Sequence, residues 1–97
     1  MAAYVIARLD VHDTDWRQSY AKRTRDLIRK HGGREVAPFG STVDALEGAG
    51  KIPSTIVILE FPSVKQAKAW YHDPDYAPLI ALRQSGADGD LVVVDAH

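Results

Sequence analysis

The stretch Thr55–Tyr76, TIVILEFPSVKQAKAWYHDPDY, decides the fold. Thr55–Phe61 is rich in β-branched and apolar residues and stops at Pro62, which reads as a strand. Ile56, Ile58 and Glu60 line one face; Thr55, Val57, Leu59 and Phe61 line the other. Both faces are apolar, so the strand calls for cover on both sides. Ser63 then caps a helix, with Gln66 three residues later to complete a capping box. Ala67, Trp70 and Tyr71 form the buried stripe of that helix. Asp73-Pro74 interrupts it, and a further short helix starts near Pro78, a residue suited to a first turn. Leu79, Ile80 and Arg83 share its inner side.

Outward from this stretch the pattern repeats. Ala3–Asp10 reads as a strand with Val5, Ala7 and Leu9 on one face and Tyr4, Ile6, Arg8 and Asp10 on the other. Its two faces both begin apolar, which places it centrally in a sheet. Asp13 is the expected cap of a helix running to about His31, with Trp16, Tyr20, Thr24, Leu27, Ile28 and His31 on one face. Gly32-Gly33 ends it. Arg34–Phe39 is a short edge strand broken by Pro38 and Gly40, and Ser41–Leu46 is expected to supply a second short arm. Glu47–Pro53 is a loop whose Gly-Ala-Gly-Lys lacks the spacing and the Ser/Thr of a phosphate loop. Gly86 and Gly89 mark another loop, and Asp90–Ala96 is a last strand, apolar on both faces.

Two β-α-β halves follow from this order. The fold class is α+β: a ferredoxin-like β-α-β-β-α-β domain over residues 1–97, with an antiparallel sheet and helices on one face only. The second sheet face then carries Ile6, Ile56, Ile58 and either Leu91 and Val93 or Val92 and Val94. Soluble monomers avoid a contiguous apolar patch of that kind, so a homodimer stacked sheet to sheet is expected, forming a dimeric α+β barrel.

Composition narrows the function classes. Ninety-seven residues make one domain, and the 45% apolar share is that of a globular protein. A net charge of −1 gives no global bias toward nucleic acid or membrane, and the basic side of the first helix reads as a solvated face. No cysteine is present, so disulfides, thiol catalysis and thiolate metal sites are excluded, in keeping with a cytoplasmic protein. MAAYVIARLD is neither a signal peptide nor a membrane span.

YVIARLDVHD, HGGRE, LEFPS and AWYHDPDYAPLIALR together resemble the small bacterial proteins of domain-of-unknown-function family 1330. That resemblance covers nearly the whole chain and implies a branch of the dimeric α+β-barrel superfamily, which includes cofactor-free monooxygenases and muconolactone isomerases. It implies the fold and the dimer and carries over no catalytic residue.

Candidate chemistry is sparse. His12, His31, His72 and His97 make no metal-ligand spacing, and neither a metal nor a cofactor is expected. Arg8 and Glu60 interrupt apolar strands that are neighbours in this fold, so they are expected to pair at the barrel rim; an unpaired Glu60 beside a cavity between sheet and helices is the candidate general base. Arg8, Trp70, Tyr71 and Tyr76 are the pocket or dimer-contact candidates, and Ile6, Ile56 and Ile58 the dimer face. The reading is a small-molecule-binding or accessory protein taking a small apolar ligand. The competing reading is a cofactor-independent isomerase or monooxygenase acting on an aromatic or lactone-like substrate.

Overall fold

Alternation along the first strand decides which side of the sheet the helices take. The computed structural model describes residues 2–48, 50 and 52–96. Its elements are β1 (Ala2–Val11), α1 (Arg17–Lys30), β2 (Arg34–Ala37), β3 (Thr55–Phe61), α2 (Val64–Tyr71), α3 (Ala77–Gln84) and β4 (Ala87–Ala96). In β1, Ala3, Val5, Ala7 and Leu9 are buried, while Tyr4 and Ile6 are half-buried and Arg8 and Asp10 exposed.

The sheet runs β2-β3-β1-β4, every neighbour antiparallel. β3 therefore fills the gap of the split β1-α1-β2 unit, which is the ferredoxin-like arrangement. β1 and β3 are central, as their two apolar faces require. Val5 lies opposite Leu59, and Ala7 opposite Val57. On the other edge of β1, Tyr4 meets Val94 and Ile6 meets Val92, so Val92 and Val94 belong to the open face, with Leu91 and Val93 on the helix side.

The helices pack on the buried row. Leu27 and Ile28 of α1, Ala67 and Trp70 of α2, and Tyr76 and Leu79 beside and within α3 close over Val5, Leu59 and Phe61. A second cluster gathers Trp16, Ala7, Leu9 and Ala87 at the other end of β1. Gly32, at φ 81°, turns the chain out of α1, and the Gly33 N–H donates to the Ile28 carbonyl at 2.8 Å.

Four local expectations are corrected. Asp13 does not cap α1: its carboxylate accepts the Asp15 N–H at 2.9 Å, and the helix begins after Trp16 without a side-chain cap. The start is anchored by Trp16, whose indole N–H donates to the Asp13 carbonyl. The ring packs so tightly on Gly86 that a Cβ there would sit 2.2 Å from it. Ser41–Leu46 forms no strand and crosses as irregular chain. β4 starts at Ala87, because pairing with Val11 and Leu9 carries it through Gly89. Gln66 makes only half of a capping box: its N–H donates to Ser63 Oγ at 3.2 Å, but its side-chain amide reaches the His31 carbonyl at 3.3 Å, tying α2 to the end of α1. The Gly-Ala-Gly-Lys loop contains Ala49 and Lys51, which lie outside the described residues, as does His97.

One layer of helices on one sheet leaves a slab of 35 × 33 × 16 Å. Its accessible surface is 6237 Å², against roughly 5,500 Å² for a typical folded monomer of this size.

Ser63→Ala is expected to cost about 1 kcal/mol, because the first turn of α2 loses its only side-chain acceptor for the Gln66 N–H. Chemical denaturation checks it: an unchanged midpoint would show that the cap contributes nothing.

Candidate functional site

Where α1 and α3 diverge over β1 and β3 they leave a cavity of about 60 Å³. A water needs only ~10–15 Å³ of such space, so the cavity has room for several water-sized groups. Val5, Val57, Leu59 and Leu91 supply apolar walls from the sheet. The helices supply the polar groups: Tyr20 and Thr24 from α1, Trp70 from α2, Tyr76 at the start of α3 and Arg83 near its end.

These polar groups are poorly satisfied within the protein. Thr24 Oγ1, Trp70 Nε1 and Arg83 Nε are buried without a hydrogen-bond partner in the chain. All three residues line the same cavity. Native interiors leave few such groups, each costing about 1–3 kcal/mol, so three around one space single it out as the candidate site. The Tyr20 and Tyr76 hydroxyls meet at 2.6 Å. Burial, and then the neighbouring Tyr20 hydroxyl, push the Tyr76 phenol far above its ordinary range, with Arg83 opposing. Tyr76 is therefore a neutral donor or acceptor at any physiological pH.

Helical spacing explains the convergence. Tyr20 and Thr24 are four apart on α1 and share its inner face. Arg83 stands four residues after Leu79 on α3, at a buried position of an otherwise apolar stripe. The sequence pattern places Tyr20 and Thr24 in the α1 core stripe and Arg83 on the inner side of α3, and marks none of the three as a site residue. The legible signal was the cation in the apolar stripe.

The other predicted residues disperse. Trp70 and Tyr76 line the cavity; Tyr71 lies in a second, 140 Å³ hollow between α2 and β4, together with Lys68, His72 and Val93. Arg8 and Glu60 do not pair. Tyr4 stands opposite Glu60 and Arg8 opposite Ile56, which separates the two charges by four strand positions, about 13 Å. Arg8 instead makes a two-pronged bond to Asp90 at 3.0 Å, with both side chains 55% exposed. Glu60 is on the open face, not beside the cavity: it accepts from Arg34 at 2.6 Å and from the Tyr4 hydroxyl at 3.1 Å. Ile6, Ile56 and Ile58 share that face and are half-buried in the single chain. Among the described residues no three His, Asp or Glu side chains gather as a metal-binding group, and no helix is long and apolar enough to cross a membrane.

A second polar cluster is saturated. Asp73 Oδ2 accepts from Lys30 Nζ at 2.9 Å and lies 2.8 Å from His31 Nε2, while Oδ1 accepts the Asp75 N–H at 2.9 Å. It clamps the α2–α3 corner to the end of α1. The hydrogen bond from His31, then those from Asp75 and Lys30, hold the Asp73 carboxyl well below the usual carboxylate range.

The family described as domain of unknown function DUF1330 matches residues 2–97. The chain belongs to this family. No curated protein matches the DUF1330 chain. Its fold is shared with solved structures. A protein of unknown function from Rhodopseudomonas palustris superposes with a TM-score of 0.76 at 16% identity, over 99% of this chain and 82% of that one. SnoaB, a cofactor-independent oxygenase from Streptomyces nogalater, gives 0.70 at 15% identity, over 99% and 93%. A dimeric ferredoxin-like protein of unknown function from Thermobifida fusca gives 0.53 at 16% identity, over 99% and 92%. At these identities the likeness is one of fold.

Asp73 gives the DUF1330 domain a defined acid sensitivity. Its carboxyl is depressed in the folded state, so its contribution is fully present above the unfolded value, about pH 3.9, and is lost as pH falls below that toward the folded one. Asp73→Asn should lower the melting temperature at pH 7, and the gap to the parent should narrow below about pH 4. A gap of constant size from pH 7 to pH 2.5 would show that the charge of Asp73 is not what the cluster uses.

Proposed function

We propose that this DUF1330 chain is a small-molecule-binding protein that holds its ligand in the cavity between α1, α3 and the sheet, and that it does so as a homodimer. The observation that carries the binding reading is the set of three buried, unpartnered polar atoms around one apolar-walled space. A mostly apolar lining with a few convergent polar groups is usual for ligand sites, and a volume of about 60 Å³ limits the ligand to a few heavy atoms. The groups present favour holding over turnover. Among the described residues the only carboxylate in the lining is Glu35, and Arg25 binds it at 2.9 Å on the solvent side. The isomerase or oxygenase reading needs a proton acceptor in the cavity, and Glu60 stands on the opposite sheet face, neutralised by Arg34.

The dimer reading rests on the open face. Ile6, Ile56 and Ile58 form its centre, and Val92 and Val94, at 44% and 45% exposure, extend it along β4. Arg34, Glu60, Arg8 and Asp90 border it as two ion pairs. An apolar centre with a charged border is how an interface is built, and a second copy is the occupant whose shape matches a twisted sheet of the same hand. The dimeric Thermobifida protein of the same fold supports this choice.

Light scattering at micromolar concentration should report twice the chain mass, and Ile58→Asp should halve it, since a charge would be buried unpaired at the contact. A folded parent monomer would refute the dimer. For the cavity, ethanol is the probe, small enough for about 60 Å³. Millimolar additions should shift the Trp70 indole N–H resonance, and Ala21→Leu, which fills the cavity from α1 without disfavouring the helix, should abolish the shift. A Trp70 signal that never moves would refute the binding reading.

A further inference from the structure

We infer that the cavity selects a ligand bearing an anionic oxygen group, such as a carboxylate, on an apolar body of only a few heavy atoms. The inference rests on the binding reading above and adds the chemical class.

Arg83 carries it. The side chain is 5% exposed, its Nε–H has no acceptor in the chain, and among the described residues no carboxylate forms an ion pair with it. A guanidinium does not shed its charge on burial. A buried cation without an opposite charge is costly, and proteins compensate such a group with a carboxylate or a bound anion. Tyr76 does not compensate the charge, since burial holds it as a neutral phenol.

The surrounding groups agree in sign. Trp70 Nε1 is a donor and nothing else. Thr24 has an unused hydroxyl. Tyr20 and Tyr76 share a single hydrogen bond at 2.6 Å, so the accepting phenol keeps its own hydrogen to donate. The cavity therefore offers the Arg83 Nε–H, a phenol, a hydroxyl and an indole N–H around one space. A carboxylate accepts a charge-assisted hydrogen bond from the guanidinium and has lone pairs for the rest. A cationic ligand would meet like charge at Arg83. Beyond the donors, Val57, Leu59 and Leu91 make the wall against which an apolar body lies, and exposed Arg25 marks the side where the lining reaches solvent.

Acetate, ethanol and ethylamine present the same methyl group with an anionic, neutral and cationic head, and each is small enough for a cavity of about 60 Å³. Each is titrated into the full-length protein at neutral pH, following the Trp70 indole N–H and Arg83 Nε–H resonances. Acetate should bind about tenfold or more tighter than ethanol, the worth of one charge-assisted hydrogen bond, and ethylamine should not bind. Arg83→Met keeps length and apolar volume while removing the charge; it should abolish the preference for acetate over ethanol. If ethanol binds and acetate does no better, the anion inference is overturned and the cavity reading stands. If none of the three shifts Trp70, the cavity reading falls and the inference with it. The comparison of heads on the parent protein decides the question even if the Arg83 variant fails to fold.

Discussion

β1 is hydrogen-bonded along both edges, and its side chains alternate between a fully buried row and a half-exposed row that is also partly apolar. Everything else follows from that strand. Its buried row, Ala3, Val5, Ala7 and Leu9, is made of small and medium side chains. Bulk on that face must therefore come from the helices, and it does, as Trp16, Trp70, Tyr76 and Leu79. Aromatic rings bridging from three helices to a strand of small residues do not fill the space evenly. Trp70 lies 4.5 Å from Tyr76 between ring centres, and the Tyr20 and Tyr76 hydroxyls meet at 2.6 Å; these three rings line the cavity over Val5, Ala7 and Leu9. Small residues on β1 thus create the site, and the aromatic ring edges and hydroxyls give it polar points.

The half-exposed row of β1 has the opposite consequence. Ile6, flanked by Ile58 and Val92, has no helix to lie against. The chain spends its ion pairs around the margin of this face rather than across it: Arg34 with Glu60 at one end and Arg8 with Asp90 at the other. Exposed pairs of that kind contribute little stability to a single chain; in the proposed dimer their larger effect would be on how the two sheets orient. In that proposal the two sides of β1 divide the work, one lining the candidate cavity and the other meeting a second copy.

Much of this was legible in the residues. The limits of β3 were readable because a β-branched run ends at a proline, and the capping role of Ser63 because its signal is local. The ferredoxin-like order followed from two strand-helix-strand units. What failed was whatever depends on register or on tertiary cover. Topology makes β1 and β3 neighbours, but only the alignment of their pairs shows that Glu60 meets Tyr4 and that Arg8 is out of reach. Asp13 has the chemistry of a cap, yet the buried indole of Trp16 sets where α1 begins. Gly89 reads as loop in isolation, yet the ladder with β1 overrides it. Arg83 was visible as a cation in an apolar stripe. That Thr24 and Trp70 lack partners is a matter of distances, which no spacing rule supplies.

The account turns on the apolar open face of β1 and β3 being closed by a second copy of the chain. Isotope-filtered NOE spectra of a mixed sample, half carrying labelled isoleucine methyl groups, test this directly. Intermolecular contacts are predicted from Ile6, Ile56 and Ile58, which share the open face, and none from Ile28, which is buried under α1. Contacts that run through the helices, or no intermolecular contact at these three isoleucines, would contradict it.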